Sequence, residues 1–258
     1  MADIQDILPL KSGGILSITG AGGKTSLMFH LAAILGGIGK KVLTTTTTKI
    51  FPPFPEQSKT MIISDSIEEF LDRAAVYLKK DNHITAAASR IRRVNKLKGF
   101  SPELIHDIHK EKLFDWILVE ADGAAQRSLK ASSDHEPVIP VKSDILLGVA
   151  GLDVIGKSLN ESNVFRSELF SQRIGLPLGE IISEPHLAAL IAHPMGMLKG
   201  APPEAECFVF LNKADNKKML ESGRKIVDQL HQMESCRPGC VIIGEAKERM
   251  TVHECLYF

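Results

Sequence analysis

Short apolar, β-branched runs alternate along the chain with segments whose apolar residues recur every three or four positions. The runs ILSIT (15–19), KVLTTTT (41–47), TMIIS (60–64), HITAAAS (83–89), WILVEA (116–121), DILLGVA (144–150), CFVFLN (207–212) and CVIIG (240–244) predict strands, the last of them closing the set. Helical spacing predicts helices from about Lys24 to Gly36 and over 66–80, 101–113, 166–174, 184–192 and 216–233. Within 66–80, Ile67, Phe70, Leu71, Ala74, Ala75 and Leu78 share one face. Ser101 and Pro102 form a cap and a first helical residue. Strands separated by helices make βαβ units, so the expected class is α/β, with a mostly parallel sheet covered by helices on both faces. Residues 1–258 are expected to form one domain, with 151–206 as a candidate helical insertion. Ligands of such sheets gather at the carboxyl ends of the strands, here just after Thr19, Thr47, Ala121, Ala150, Asn212 and Gly244.

The chain has 258 residues, 44% of them hydrophobic, enough for a substantial core. Lys+Arg and Asp+Glu are equal at 31 each, so nothing global points to nucleic acid or a membrane surface as partner. No charged leader with an apolar stretch opens the chain, and no run reaches the roughly 18 apolar residues of a membrane span. Cys207, Cys236, Cys240 and Cys255 all fall in the last quarter, which predicts reduced thiols in a cytoplasmic protein. Cys236 and Cys240 with His231 and His253 match no common zinc spacing, so no zinc site is expected.

The chemistry concentrates at the predicted strand ends. After the first strand comes Gly20-Ala21-Gly22-Gly23-Lys24-Thr25, followed by Ser26. This is a compact GxxGK[ST] form of the phosphate loop, two residues shorter than the full GxxxxGK[ST] pattern. Its glycines let backbone amides turn toward a polyphosphate, and the helix beyond offers its positive end. Lys24 can reach the β- and γ-phosphates, and the Thr25 hydroxyl can ligate Mg²⁺. Glu120 and Asp122 end the 116–121 strand two residues apart, hence on one side of an extended segment. One is expected to hold Mg²⁺ and the other to orient a nucleophile, while Glu120-x-x-Gly123 is similar to the Asp-x-x-Gly switch of GTPases. Asn212-Lys213-Ala214-Asp215 matches the Asn-Lys-x-Asp guanine reader. There the carboxylate accepts from guanine N1–H and the N2 amine, which adenine cannot match, and the lysine stem covers the base. Glu245-Ala246-Lys247 is a softer likeness to the Ser-Ala-Lys base loop.

Thr47, Thr48 and Lys49 end the second strand as candidates for γ-phosphate or substrate contacts. The polar stretch 122–140 carries Arg127, Lys130, His135 and Glu136, candidates for an anionic substrate. Arg90, Arg92, Arg93, Lys96 and Lys98 form a basic cluster, either solvated surface or a receptor for a phosphorylated ligand or acidic partner.

Taken in order, ITGAGGKTSLMFHLA, KVLTTTTTKIFPP, LVEADGAAQRSLKA, HEPVIP, GVAGLDVIGK and HPMGMLKGAP resemble the YqeC family, accessory proteins of selenium-dependent molybdenum hydroxylases, over roughly 15–247. The resemblance implies a P-loop NTPase linked to maturation of a selenium- and molybdenum-containing cofactor, with a molybdenum hydroxylase or its cofactor-maturation proteins as partners. It carries over Gly20 to Thr25 as the nucleotide loop, Glu120 and Asp122 as the acidic pair, and Asn212, Lys213 and Asp215 as the base reader. Ser128 departs from it, standing where proline is expected. The compact loop also resembles that of Mur-type ligases, which activate a carboxylate with ATP, although this chain lacks the length for their further domains. The expectation is Mg²⁺-dependent binding and hydrolysis of a nucleoside triphosphate, with GTP favoured over ATP and Lys24, Glu120 and Asp122 as the catalytic groups. The alternatives are a kinase or Mur-ligase-like enzyme using ATP on a small anionic substrate, and a nucleotide-sensing module without significant catalysis.

Overall fold

The computed structural model describes residues 3–233 and 238–258, so Cys236 and its candidate pairing lie outside the described residues. The chain opens with α1 (Ile4–Ile7), β1 (Gly14–Gly20), α2 (Lys24–Gly37), β2 (Val42–Thr46), β3 (Lys49–Ile50) and β4 (Met61–Ile63). It continues through α3 (Ile67–Tyr77), β5 (His83–Ala87), β6 (Ser89–Ile91), β7 (Lys96–Lys98), α4 (Pro102–Lys110), β8 (Trp116–Glu120) and β9 (Leu129–Lys130). Then come β10 (Ile145–Gly151), β11 (Val164–Phe165), α5 (Ser167–Ile174) and α6 (Glu184–Ala192). The last elements are β12 (Glu206–Asn212), α7 (Lys217–His231), β13 (Cys240–Ala246) and β14 (Met250–Tyr257).

Nine strands form one sheet in the order β14-β13-β12-β10-β1-β8-β2-β5-β4. Every pairing is parallel except β13 with β14. All eight predicted strands lie in this sheet, and the parallel order brings their carboxyl ends to one edge. The fold is α/β, a mostly parallel sheet flanked by helices. β1, β8 and β10 are buried along their whole length, as parallel strands sandwiched between helices must be.

α2 is apolar almost all round, and Leu27, Met28, Phe29, Leu31, Ala32 and Leu35 are buried. One side meets the sheet, while Ile4, Ile7 and Leu8 of the N-terminal segment join the same cluster. A second cluster joins Phe170, Leu187 and Ile191 to Val209, Leu211 and Ile226. Residues of segment 151–206 thus pack in one cluster with strands of the large sheet. A third cluster holds Phe70, Ile105 and Phe114, with the Phe70 and Phe114 rings stacked 6.0 Å apart. Each fully buried phenylalanine contributes about 1.5–3 kcal/mol.

Two sheet features correct the expectation. CVIIG is not the last strand: β14 pairs antiparallel with β13 and bulges opposite Ile243/Gly244. Its residues include His253 and Glu254, and its extended form comes from pairing with β13 more than from an apolar run. Part of the basic cluster also folds into a small antiparallel sheet, β3-β7-β6, in which Lys49 faces Lys98 and Ile50 faces Leu97. No helix among the described residues is long and apolar enough to cross a membrane.

Candidate functional site

β1 delivers the chain to the carboxyl edge, where Gly20, Gly22 and Gly23 have φ of 89°, 82° and 123°. Side chains rarely tolerate that region, and a Cβ on Gly22 would collide with the Gly151 backbone amide. α2 then starts at Lys24, so the first-turn amides lack intrahelical acceptors and aim the positive helix end at the loop. The Gly22 amide donates to the Arg127 carbonyl at 2.9 Å, tying the 122–140 stretch to the loop.

Beneath the loop the charges are packed as a chain. Lys24 Nζ donates to the Gly20 carbonyl at 2.6 Å and lies 3.1 Å from Asp122 Oδ1 and 3.8 Å from Glu120 Oε1. Asp122 Oδ2 accepts from the Gly20 amide at 3.0 Å and sits 3.0 Å from Lys130 Nζ. Lys130 also donates to Glu136 Oε2 and the Gly123 carbonyl, both at 2.7 Å. Glu136 Oε2 accepts in turn from Arg166 at 2.6 Å. Burial opposes a charge on Lys24, but the Asp122 and Glu120 carboxylates outweigh it and raise its pKa. Burial pushes the Glu120 carboxyl up despite Lys24 and the Thr25 hydroxyl. Burial would raise Glu136 too, yet its bonds to Arg166 and Lys130 hold it down to about 2.

This run of charges shows where two of the expected site residues are engaged. Lys130 has three donors, and they meet the Gly123 carbonyl, Glu136 and Asp122 inside the protein. Asp122 is fully buried and faces Lys24, Lys130 and the Gly20 amide, so it ties the loop to both lysines. Glu120 is also buried but borders open space. Its Oε2 accepts from Thr25 Oγ1 at 2.7 Å, and both residues line a cavity of about 320 Å³. Gly22, Gly23, Lys24, Ser26, Lys49, Arg127 and Lys213 border the same cavity. The Thr25 hydroxyl and Glu120 carboxylate are hard oxygen donors of the kind Mg²⁺ takes. Among the described residues no cluster of three or more His, Cys, Asp or Glu side chains can hold a metal unaided. A Mg²⁺ bound here would thus complete its shell with phosphate oxygens and water.

Of the remaining candidates, Thr47, Thr48 and Lys49 line a neighbouring cavity. The Arg127 side chain is tethered to the Glu161 and Ala125 carbonyls, and its rim position is fixed. His135 is exposed and lines neither cavity, so the site does not gather it. At the β12 end, the buried Asn212 amide donates to the Gly22 carbonyl at 2.7 Å and accepts from the Ala246 amide at 2.9 Å. One side chain thereby joins the glycine loop to the carboxyl end of β13 at Ala246. Lys213, at φ 66°, reaches Ser128 Oγ at 2.8 Å and Asp153 at 3.1 Å. Ser128 thus makes a contact that proline could not. Asp215 is exposed beside Asn216 and lies outside the cavity wall. The Arg166–Glu136 and Lys213–Asp153 contacts had no sequence signal, because the partners lie tens of residues apart.

Comparison with known proteins places these features in a family. The family described as "YqeC protein" matches residues 16–168. The Escherichia coli (strain K12) protein named "Uncharacterized protein YqeC" is 32% identical over 224 residues, covering 81% of this chain and 80% of that protein. Among solved structures, the MinC:MinD cell division protein complex of Aquifex aeolicus aligns with TM-score 0.47 and 15% identity, over 91% of this chain and 82% of that one. FtsY from Mycoplasma mycoides aligns with TM-score 0.38 and 15% identity, over 96% of this chain and 65% of that one.

Proposed function

The chain belongs to the YqeC family, and we propose that it binds a nucleoside triphosphate with Mg²⁺ and hydrolyses it, preferring GTP to ATP. The observation that carries this reading is a buried lysine under a glycine loop at a helix N-terminus, beside a Thr25–Glu120 pair opening onto a cavity. In this reading Lys24 and the loop amides stabilise charge developing on the transferring phosphoryl group. Thr25 and Glu120 hold Mg²⁺, which neutralises phosphate charge when bound. Asp122 keeps Lys24 protonated and the loop closed. Asn212 supports the guanine preference by fixing the base turn to the loop, Lys213 by lining the cavity, and Asp215 by offering an exposed carboxylate. The accessory role in maturing a selenium- and molybdenum-containing hydroxylase cofactor is supported by the family resemblance. A phosphotransfer reading on ATP is favoured by one observation, the second cavity adjoining the first.

Calorimetry of GTP and ATP binding with Mg²⁺ tests the reading on wild type, Lys24→Ala and Asp215→Ala. GTP is expected to bind at least about tenfold tighter, a difference of about 1.4 kcal/mol, and Asp215→Ala to erase the gap. Lys24→Ala should lose both nucleotides. Equal affinities untouched by Asp215→Ala would remove the guanine preference, and unchanged binding and turnover in Lys24→Ala would remove the nucleotide site.

A further inference from the structure

A cavity of about 770 Å³ adjoins the phosphate-side cavity, and Lys49 and Lys96 line both. Lys98 lines only the larger one, with Thr47, Phe100 and Phe165 among its walls. The three lysines come from the small sheet. Lys96 and Lys98 are two apart on β7 and so share a face, while Leu97 between them is buried. Lys49 stands directly opposite Lys98 in the antiparallel register. Like charges facing each other across strands destabilise a sheet. Among the described residues, none of these ammonium groups has a carboxylate within 4.0 Å. The acid on the wall of the larger cavity, Glu136, is already committed to Lys130 and Arg166, and Glu120, which borders the smaller cavity with Lys49 and Lys96 and feels the Lys96 charge, is already paired with Lys24 and Thr25. Lys96 instead lies 4.9 Å from the centre of the Phe51 ring. Arg90 and Arg92 of the same cluster line a separate pocket with Asp65 and Glu69, so the cation excess belongs to this one face.

A local conflict of charge that the fold leaves uncompensated marks a place where a ligand supplies the compensation. The volume suits a small organic molecule. The lysines suit phosphate or carboxylate, and the phenylalanine side chains suit an apolar or planar body. We propose that this cavity binds an organic anion, seated with its charged group on Lys49, Lys96 and Lys98, as a second ligand next to the nucleotide's terminal phosphate. The position relative to nucleotide rests on the reading above, while the anion site itself rests on the lysine face alone.

Pyridoxal 5′-phosphate, a planar phosphate with an aldehyde, is the probe. Its aldehyde carbon condenses with a lysine amine and releases water, and borohydride reduces the imine to a stable secondary amine that peptide mass spectrometry locates. At substoichiometric probe, modification is expected to concentrate on Lys49, Lys96 and Lys98. With excess Mg²⁺ and a non-hydrolysable nucleotide, Lys98 should still be labelled. Lys98→Gln should weaken reversible probe binding about tenfold, the loss of one charge-assisted contact, without lowering nucleotide affinity. Labelling spread evenly over the surface lysines would overturn the proposal. So would nucleotide protection of Lys98, or loss of nucleotide affinity in Lys98→Gln, because the lysines would then serve the triphosphate itself. Concentrated labelling in a protein that binds no nucleotide would sustain the anion site and remove the nucleotide reading.

Discussion

Lys24 and Lys130 belong to the charge chain at the glycine loop, and Lys49, Lys96 and Lys98 to the small sheet beside it, yet the protein holds the two groups in opposite ways. The first two are buried, and each touches a carboxylate: Lys24 meets Asp122 and Glu120, Lys130 meets Asp122 and Glu136. The other three lie on a small sheet, and among the described residues none of them forms an ion pair within 4.0 Å. Burial explains the difference. A cation without water needs a partner in the fold, whereas one with water can wait for a ligand. The two groups therefore predict opposite responses to the loss of charge.

The largest effect is expected at Asp122. Asp122→Ala leaves two buried ammonium groups short of their shared counter-charge and the Gly20 amide without its acceptor. Breaking a buried pair this way costs about 3–5 kcal/mol, to be read from urea denaturation. Asp122→Asn, which keeps an acceptor, should cost less. A loss below about 1 kcal/mol in the alanine variant would mean that the clamp is not structural.

Glu136 gives the next effect, and its sign follows from its shift. Folding opposes the charge by burial but favours it more strongly through Arg166 and Lys130, so the carboxyl falls from 4.5 to about 2. A depressed carboxyl stabilises the fold fully above its unfolded pKa and loses that contribution as pH drops toward the folded value. Allowing for solvent screening of this half-buried group, the contribution is about 1–2 kcal/mol. The stability gap between wild type and Glu136→Gln should narrow by that amount as pH falls from about 5.5 to about 2. A gap independent of pH would detach Glu136 from the charge chain.

What the sequence discloses follows the same division between local and distant causes. The glycine loop was legible because Gly20, Gly22 and Gly23 must take positive φ, and only local residue types record that need. Glu120 and Asp122 were legible as a pair because alternation on an extended segment is local, and both do reach Lys24. Their different surroundings were not, because Asp122 also meets Lys130, which β9 brings to it. The contacts of Lys130 were hidden for the same reason: a sequence displays a charge and hides its partner. The 90–98 cluster was seen, but which of its members turn to the cavity depends on the pairing of Lys98 with Lys49, nearly fifty residues earlier. β14 was missed because its extended form comes from the ladder with β13.

The smallest effect is the sharpest test of the contrast, because its sign is reversed. Lys98→Glu places an acid opposite Lys49 in the same register. Converting a like-charge cross-strand pair to an opposite one should stabilise the fold by about 0.2–1 kcal/mol. Since both groups are exposed, the gain should shrink in about 1 M salt, where screening acts over roughly 3 Å. The same variant should lose affinity for pyridoxal 5′-phosphate, so stability and binding would move in opposite directions. That divergence is what a ligand-directed charge conflict requires. If Lys98→Glu instead lowers stability at low salt, Lys98 already has a counter-charge in the fold, and the lysine face is held together as Lys24 and Lys130 are.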